Sequence, residues 1–172
     1  RKRSRYLSQT EARQLLLATS GPMREAFRWM LLTGLRRGEF LRVQPDHFRG
    51  KTLYVEISKS GKPRTIPLPP ELEPAKFPYG LTETGLERGF REACAKAGLQ
   101  GVWLHDLRRT YGTWLMQNGA SLGAIRDLLG HSDITMTSRY LGTTGSDLRE
   151  AIKGLPKVAR GIYGDWKRRF RG

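Results

Sequence analysis

The sequence is poor in cysteine and contains no long apolar run. Cys94 is the only cysteine in 172 residues, so no disulfide can form within the chain, which fits a reducing cytosol. No stretch of 18 apolar residues occurs and no basic helix with a broad aromatic face is predicted, which argues against a membrane partner. No secretory signal peptide is visible. We therefore expect a cytoplasmic protein that does not bind membranes.

Acidic residues are also scarce relative to basic ones. Lys and Arg total 31 against 16 Asp and Glu, which gives a net charge of +15. Such an excess costs self-repulsion and is usually kept because the partner is a polyanion. Nucleic acid is therefore the leading partner, and a solubilising surface charge is the plainer alternative. A length of 172 residues with 38% hydrophobic content fits one soluble globular domain.

Metal-ligand clusters are missing as well. His47, His105 and His131 lack the close spacing of a metal site, and Cys94 falls on an apolar helical stripe, where it predicts inert core. We expect neither a metal nor another cofactor.

Helix-capping signals bound the first two predicted helices. Ser8 and Glu11 form a capping box, and the helix that they begin extends to about Thr19. Pro22 suits the first turn of the next helix, which Gly34 is placed to end.

Alternating apolar residues predict a β-hairpin next. Leu53, Val55 and Ile57 indicate a half-buried strand, residues 58–62 a turn, and residues 64–66 the returning strand. The predicted fold class is therefore α+β, mainly α-helical with a small antiparallel β-sheet or hairpin.

Three helices are predicted between residues 84 and 130. A capping box at Thr84 and Glu87 begins the first, which ends at Gly98. The second ends at Asn118-Gly119. Ser121 caps the third, which Gly130 closes. Their expected buried residues are Leu86, Phe90, Ala93, Cys94 and Ala97, then Leu107, Tyr111, Trp114 and Leu115, then Leu122, Ile125, Leu128 and Leu129.

Four side chains with useful chemistry lie beside these helices. His105 and Arg108 are three residues apart, so on a helix both can reach one bound group. His131 directly follows the Gly130 cap, and Tyr140 lies nine residues further on. Two imidazoles, a permanent cation and a phenol suit an anionic ligand and an oxygen nucleophile.

Further cations occur upstream. Arg36 follows the turn at Gly34, where the plainer interpretation is a partner for the helix dipole. Lys59, Lys62 and Arg64 lie in or beside the hairpin and point to a phosphate backbone, although an ordinary soluble hairpin has similar residues.

Read in order, these pieces resemble the catalytic domain of the tyrosine recombinases, the phage-integrase family. The matching segments are the Thr-Gly-Leu-Arg turn, the hairpin from Ile57 to Leu68, His-x-x-Arg, the Leu-Gly-His-Ser block and a following tyrosine. The resemblance covers about residues 8–141, and Lys59, not Lys62, falls on the family's catalytic lysine. Arg37 and Gly38 depart from the β-branched residue and serine of many members. The implied catalytic residues are Arg36, Lys59, His105, Arg108, His131 and Tyr140.

The resemblance also implies a role for each residue. Arg36 and Arg108 bind the non-bridging phosphate oxygens and Tyr140 is the nucleophile. His105 is the implied proton acceptor, and Lys59 the implied proton donor to the leaving 5′ oxygen. His131 is expected to hydrogen-bond to a phosphate oxygen. Glu39 buttresses the site, and Lys62 and Arg64 contact DNA.

For the whole protein, the resemblance implies site-specific DNA recombination through a covalent 3′-phosphotyrosine. It also implies that a tetramer acts on double-stranded DNA, with possible accessory DNA-bending proteins. A bacterial cell, phage or mobile element is the expected source. Residues 1–7 are a basic lead-in, residues 8–141 the catalytic core and residues 142–172 a tail that docks in cis or in trans. An upstream DNA-binding domain is expected to be absent from this chain. A type IB topoisomerase and a non-catalytic DNA-binding module remain as alternatives.

Overall fold

A computed structural model of the chain describes residues 5–56, 63–74, 77, 79–130, 149–150, 152–153 and 155. The predicted site residues Lys59, Lys62, His131 and Tyr140 lie outside the described residues, as does the predicted hairpin turn.

Helices form most of the described structure. Their bounds are α1 Gln9–Leu17, α2 Gly21–Thr33, α3 Arg37–Leu41, α4 Glu83–Lys96, α5 Asp106–Gln117 and α6 Leu122–Leu129. Helix α2 packs mainly against α5, and its buried face includes Phe27, Trp29 and Met30. This pairing matters for the site because the C-terminal end of α2 and the first turn of α5 lie in contact there.

A three-stranded antiparallel sheet lies beside the helices. Its strands are β1 Phe48–Arg49, β2 Thr52–Val55 and β3 Arg64–Pro67, in the order β1-β2-β3. Leu53 and Val55 of β2 are buried, as the alternation predicts, and Val55 pairs with Arg64 at the start of β3. The predicted α+β fold, mainly helical with a small antiparallel sheet, is confirmed.

The capping signals explain most helix ends. Ser8 and Glu11 form the predicted capping box of α1, and the Ser121 side chain caps α6. Gly34 and Gly130 both adopt left-handed backbone, at φ +65° and +63°, where a side chain would be strained. A Cβ at Gly34 would also lie 2.5 Å from Cδ1 of the fully buried Tyr111, so α5 can approach α2 closely only at glycine.

Some local predictions were wrong. Thr82, not Thr84, caps α4 by accepting a hydrogen bond from the Gly85 amide, because the helix begins one residue before Thr84. Leu122 is 70% exposed, since the smaller Gly123 and Ala124 face the core in its place. Helix α1 ends at Leu17 rather than Thr19.

The core is continuous through the described residues. It combines the apolar faces of the helices with Leu53 and Ile66 of the sheet, and Cys94 is buried in it as predicted. Burial raises the pKa of the Cys94 thiol to about 11, so the thiol is protonated at neutral pH. Among the described residues, no helix is long and apolar enough to cross a membrane.

Candidate active site

Arg36 is placed by the turn that joins α2 to α3. It is the N-cap residue of α3, with extended backbone, and Glu39 lies one helical turn further on. The Glu39 carboxylate accepts a 2.8 Å hydrogen bond from the Arg36 backbone amide and another of 2.8 Å from Nη1 of the Arg36 side chain. The short helix therefore fixes both the backbone and the guanidinium of Arg36 through one carboxylate.

Glu39 is itself buried and held by Arg64 from the sheet. Its side chain is 1% exposed, and that of Arg64 is 6% exposed. Arg64 donates from Nη1 to Oε1 at 3.0 Å and from Nη2 to Oε2 at 2.8 Å, and its Nε donates to the Leu128 carbonyl at 2.8 Å. Such a two-point pair fixes orientation as well as distance. Arg64 therefore connects β3 with α3 and with the last turn of α6.

Arg108 reaches the same cluster from α5. Its Nη1 donates to the Gly34 carbonyl at 2.6 Å and its Nη2 donates to the Leu129 carbonyl, so it bridges the ends of α2 and α6. Its Nη1 also lies 3.9 Å from Oε2 of Glu39. The two carbonyl bonds use two of the five guanidinium donors and fix the plane of the group.

His105 lies at the start of α5, one helical turn before Arg108. The Asp106 carboxylate accepts a 2.9 Å hydrogen bond from the Trp103 amide, which ties the entry loop to the first turn. Thr110 further anchors the helix, because its hydroxyl accepts from the Leu7 amide at 2.9 Å and donates to the Asp106 carbonyl at 2.7 Å. The position of His105 is therefore set by the rigid start of the helix.

Arg36, His105 and Arg108 line one cavity of about 320 Å³. The structure thus brings together three predicted site residues that are up to 72 positions apart in the chain. The remaining lining side chains and backbone belong to Met30, Leu35, Arg37, Gly38, Glu87 and Leu104.

The electrostatics of the cluster are dominated by Glu39 and its cationic neighbours. Burial alone raises the pKa of Glu39, but the hydrogen bonds and charge of Arg64, helped by Arg36, outweigh it and lower the pKa to about 2. Burial lowers the pKa of Arg108 to about 9, with the charges of Arg36 and Arg64 adding to the effect. Both groups are charged at neutral pH.

The pKa of His105 is lowered, whereas a salt bridge to a carboxylate would raise the pKa of a histidine. Burial lowers its pKa, and the positive charges of Arg108 and Arg109 lower it further. The imidazole is therefore neutral at pH 7, and a neutral imidazole has one nitrogen that can accept a proton.

The observed contacts of Arg64 do not match the role predicted for it. The sequence predicts that Arg64 contacts DNA phosphate, but its guanidinium is buried and bonded to Glu39 and to the Leu128 carbonyl. That expectation does not fit the structure, because a phosphate could reach the group only by displacing a buried carboxylate. Glu39 lies against the Arg36 and Arg64 guanidinium groups, which fits the buttressing role implied for it.

Arg37 and Glu87 at the cavity were missed by sequence reasoning. Arg37 pairs with Glu87 at 2.5 Å and also with Glu83, which joins α3 to α4 at the rim of the cavity. The two glutamates are four residues apart and so lie on one face of α4. That spacing was a usable signal, but the sequence does not reveal which cation the pair faces.

No group of three or more His, Cys, Asp or Glu side chains suited to a metal ion occurs among the described residues. The chemistry of the cavity is that of arginines and a neutral imidazole, which bind anions.

Comparison with known proteins places this geometry in a family. The phage integrase family model matches residues 75–145. A putative integrase of Pseudomonas phage Pf1 is 31% identical over 133 residues, covering 73% of this chain and 40% of the relative. Tyrosine recombinase XerA of Pyrococcus furiosus is 31% identical over 144 residues, covering 70% of this chain and 50% of the relative. The chain thus spans about half the length of these relatives, or less.

Solved structures agree with the family at the level of the fold. The integrase from mycobacterium phage Brujita has a TM-score of 0.72 at 23% identity, over 91% of this chain and 59% of that one. A XerA recombinase has a TM-score of 0.62 at 26% identity, over 87% and 64%. A lambda integrase tetramer bound to a Holliday junction has a TM-score of 0.63 at 22% identity, over 82% and 51%. The chain belongs to the tyrosine recombinase (phage integrase) family and has the fold of its catalytic domain.

Proposed function

We propose that this chain is the catalytic domain of a site-specific DNA recombinase that cleaves and rejoins strands through a covalent 3′-phosphotyrosine. The observation that carries the proposal is the cavity where Arg36 and Arg108, held by backbone carbonyls and the buried Glu39, lie beside the neutral His105. The net charge of +15 supports a DNA substrate.

The two arginines suit a phosphodiester in the transition state. Attack by an oxygen gives a five-coordinate phosphorus whose non-bridging oxygens gain negative charge. Arg36 and Arg108 remain cationic and are fixed before substrate arrives, so little reorganisation is needed during the reaction. Preorganised donors of this kind typically contribute about 10²–10³ in rate each.

The proposed reaction is a balanced exchange of one ester for another. The Tyr140 oxygen bonds to phosphorus as the bond to the 5′ oxygen breaks. His105, which is neutral at pH 7, accepts the phenol proton, and Lys59 donates a proton to the leaving 5′ oxygen. His131 donates a hydrogen bond to a phosphate oxygen. Because the phosphotyrosine is still an ester, the reverse attack by a 5′ hydroxyl rejoins the strand without a metal or a nucleotide cofactor.

The assembly is proposed from the family relationship. We propose that a tetramer acts on double-stranded DNA, as in the lambda integrase tetramer solved on a Holliday junction. Residues 8–141 are the proposed catalytic core, preceded by a basic lead-in at 1–7 and followed by a docking tail at 142–172, and accessory DNA-bending proteins assist. Lys62 is a proposed phosphate contact from the hairpin.

Covalent capture tests this function. The chain is incubated with nicked duplexes of randomised sequence, in which the cut strand diffuses away, and adducts are resolved by denaturing electrophoresis. We expect adducts from the wild-type chain and from Tyr6→Phe, a tyrosine variant outside the cavity. Tyr140→Phe is expected to give none, while keeping salt-sensitive DNA binding. Adducts from Tyr140→Phe, or none from the wild type, would contradict the proposal.

A further inference from the structure

Among Arg36, Arg64 and Arg108, Arg64 is the residue whose guanidinium donates hydrogen bonds to both carboxylate oxygens of Glu39. Its two Nη atoms lie 3.0 and 2.8 Å from the two carboxylate oxygens, and its Nε is bonded to the Leu128 carbonyl. Gly130 leaves space for this arrangement, because a Cβ there would lie 2.9 Å from Cδ of Arg64. The site therefore contains a third arginine that faces away from the bulk solvent and toward the carboxylate.

The charge of the cluster depends on this arginine. Arg36, Arg64 and Arg108 carry three positive charges around the one negative charge of Glu39. With Arg64 present, the carboxylate is matched by a partner that does not line the cavity, whereas Arg36 and Arg108 do line it. Without Arg64, the same carboxylate would be balanced only by Arg36 and Arg108.

If Arg64 were removed, we expect Arg108 to move toward the Glu39 carboxylate. Its Nη1 already lies 3.9 Å from Oε2 of Glu39, about 1 Å beyond a normal hydrogen bond. Arg36 is already bonded to Glu39, so Arg108 is the cation left to replace the lost bonds of Arg64. A buried carboxylate that loses a charged partner carries a large cost, so Arg108 is expected to move onto it. That movement would pull Arg108 away from the Gly34 and Leu129 carbonyls that fix it.

We propose that Arg64 is a positioning residue for strand cleavage: by pairing with Glu39 it keeps Arg36 and Arg108 in position to bind the scissile phosphate. The inference rests on the proposed function, because it names a residue that acts on that same site. Arg64 acts through Glu39 and makes no contact of its own with DNA.

A charge-neutral substrate separates this role from simple loss of stability. In a methylphosphonate a methyl group replaces one non-bridging oxygen, so the transition state carries less negative charge and depends less on the two arginines. Single-turnover cleavage by Arg64→Met is compared on phosphate and methylphosphonate versions of a sequence captured as above. Arg28→Met is the matched control, because Arg28 is equally buried, at 8% exposure, and binds Glu25 and the Glu71 carbonyl away from the cavity.

We expect Arg64→Met to cleave the phosphate about 10²-fold more slowly than the wild type, in the range found when a preorganised charge is lost. On the methylphosphonate the loss should be less than about 10-fold, while Arg28→Met should lose the same factor on both. Equal losses on both substrates for Arg64→Met, or none, would overturn the inference.

A double variant tests the route through Glu39 and still applies if Arg64→Met folds poorly. Glu39→Gln/Arg64→Met removes both charges of the buried pair together, which is generally better tolerated than removing one. Since no carboxylate then competes for Arg108, phosphate cleavage by the double variant should be at least about 10-fold faster than by Arg64→Met, which keeps the carboxylate. If Arg64→Met does not fold, the double variant should still cleave within about 10-fold of the wild type. No gain over Arg64→Met, or a double variant about 10²-fold slower than the wild type, would contradict action through Glu39. A wild-type chain that gives no adduct on any DNA would instead contradict the proposed function.

Discussion

The buried carboxylate of Glu39 makes the stability of the fold depend on acid pH in a predictable way. Its pKa is about 2 in the folded chain, against an ordinary value of 4.5. A lowered folded-state pKa means that the unfolded chain binds a proton more readily, so stability is lost as the pH falls. The contribution is complete above about pH 4.5 and disappears as the pH approaches 2.

The magnitude follows from the size of the shift. A difference of about 2.5 pKa units corresponds to about 3 kcal/mol at 1.36 kcal/mol per unit. Between pH 7 and pH 3, about 2 kcal/mol of this should be lost, because at pH 3 the unfolded carboxyl is mostly protonated and the folded one is not. The Glu39→Gln variant should lack this part of the pH dependence. At pH 7 it should also be about 3 kcal/mol less stable, since three arginines lose their counter-charge.

The assay is urea denaturation at pH 7 and at pH 3 for the wild type, Glu39→Gln and a control. Glu92→Gln is the control, because Glu92 is exposed and its contact with Arg88 is 3.8 Å long, a pair of small expected energy. The control should keep the pH dependence of the wild type. If Glu39→Gln also kept it, the Arg64 and Arg36 contacts would not hold Glu39 ionised, and the electrostatic account of the site would be wrong.

Three further predictions concern the backbone and the chemistry. Gly34→Ala should lower the free energy of unfolding by about 2 kcal/mol or more, and by more than Gly98→Ala, because both have positive φ but only Gly34 faces Tyr111 closely; equal losses in chemical denaturation would argue against this contact. At pH 6.5 the single-turnover cleavage rate should still exceed half of its value at neutral pH, because the pKa of His105 is lowered by burial and nearby arginines and most of the imidazole is neutral there; a rate that is already half-maximal at pH 6.5 or above would contradict a lowered pKa. Lys59→Ala should slow cleavage of ordinary DNA and recover on a 5′-phosphorothiolate, whose sulfur leaves without a proton; no recovery would mean that Lys59 is not the acid, and added chelator should change none of these rates.

Local signals in the sequence were enough to predict most of the helices. The Ser8 capping box and the left-handed glycines at 34 and 130 act within one turn of the chain, so the residues that decide the structure are adjacent in sequence. The position of the cap at Thr82 was harder to predict, because Thr82 and Thr84 offer similar side chains two residues apart. Strand β1 was not predicted, since two residues carry no periodicity.

The site was predicted in its residue types but not in its internal pairing. Arg64 resembled a phosphate ligand because it follows a hairpin rich in lysine, and its partner Glu39 lies 25 residues earlier in the chain. Only the tertiary fold brings the start of β3 beneath α3 and beside the end of α6. Arg37 and Glu87 were missed for the same reason, because they are 50 residues apart.

The most direct test of the account is to map the covalent link between protein and DNA. An adduct formed on nicked DNA is digested with nuclease and protease, and mass spectrometry then locates the nucleotide on a peptide. The proposed mechanism predicts a 3′-linked nucleotide on Tyr140, and its loss when Arg36 or Arg108 is replaced by alanine. A nucleotide on any other residue, or a link through the 5′ phosphate, would contradict it.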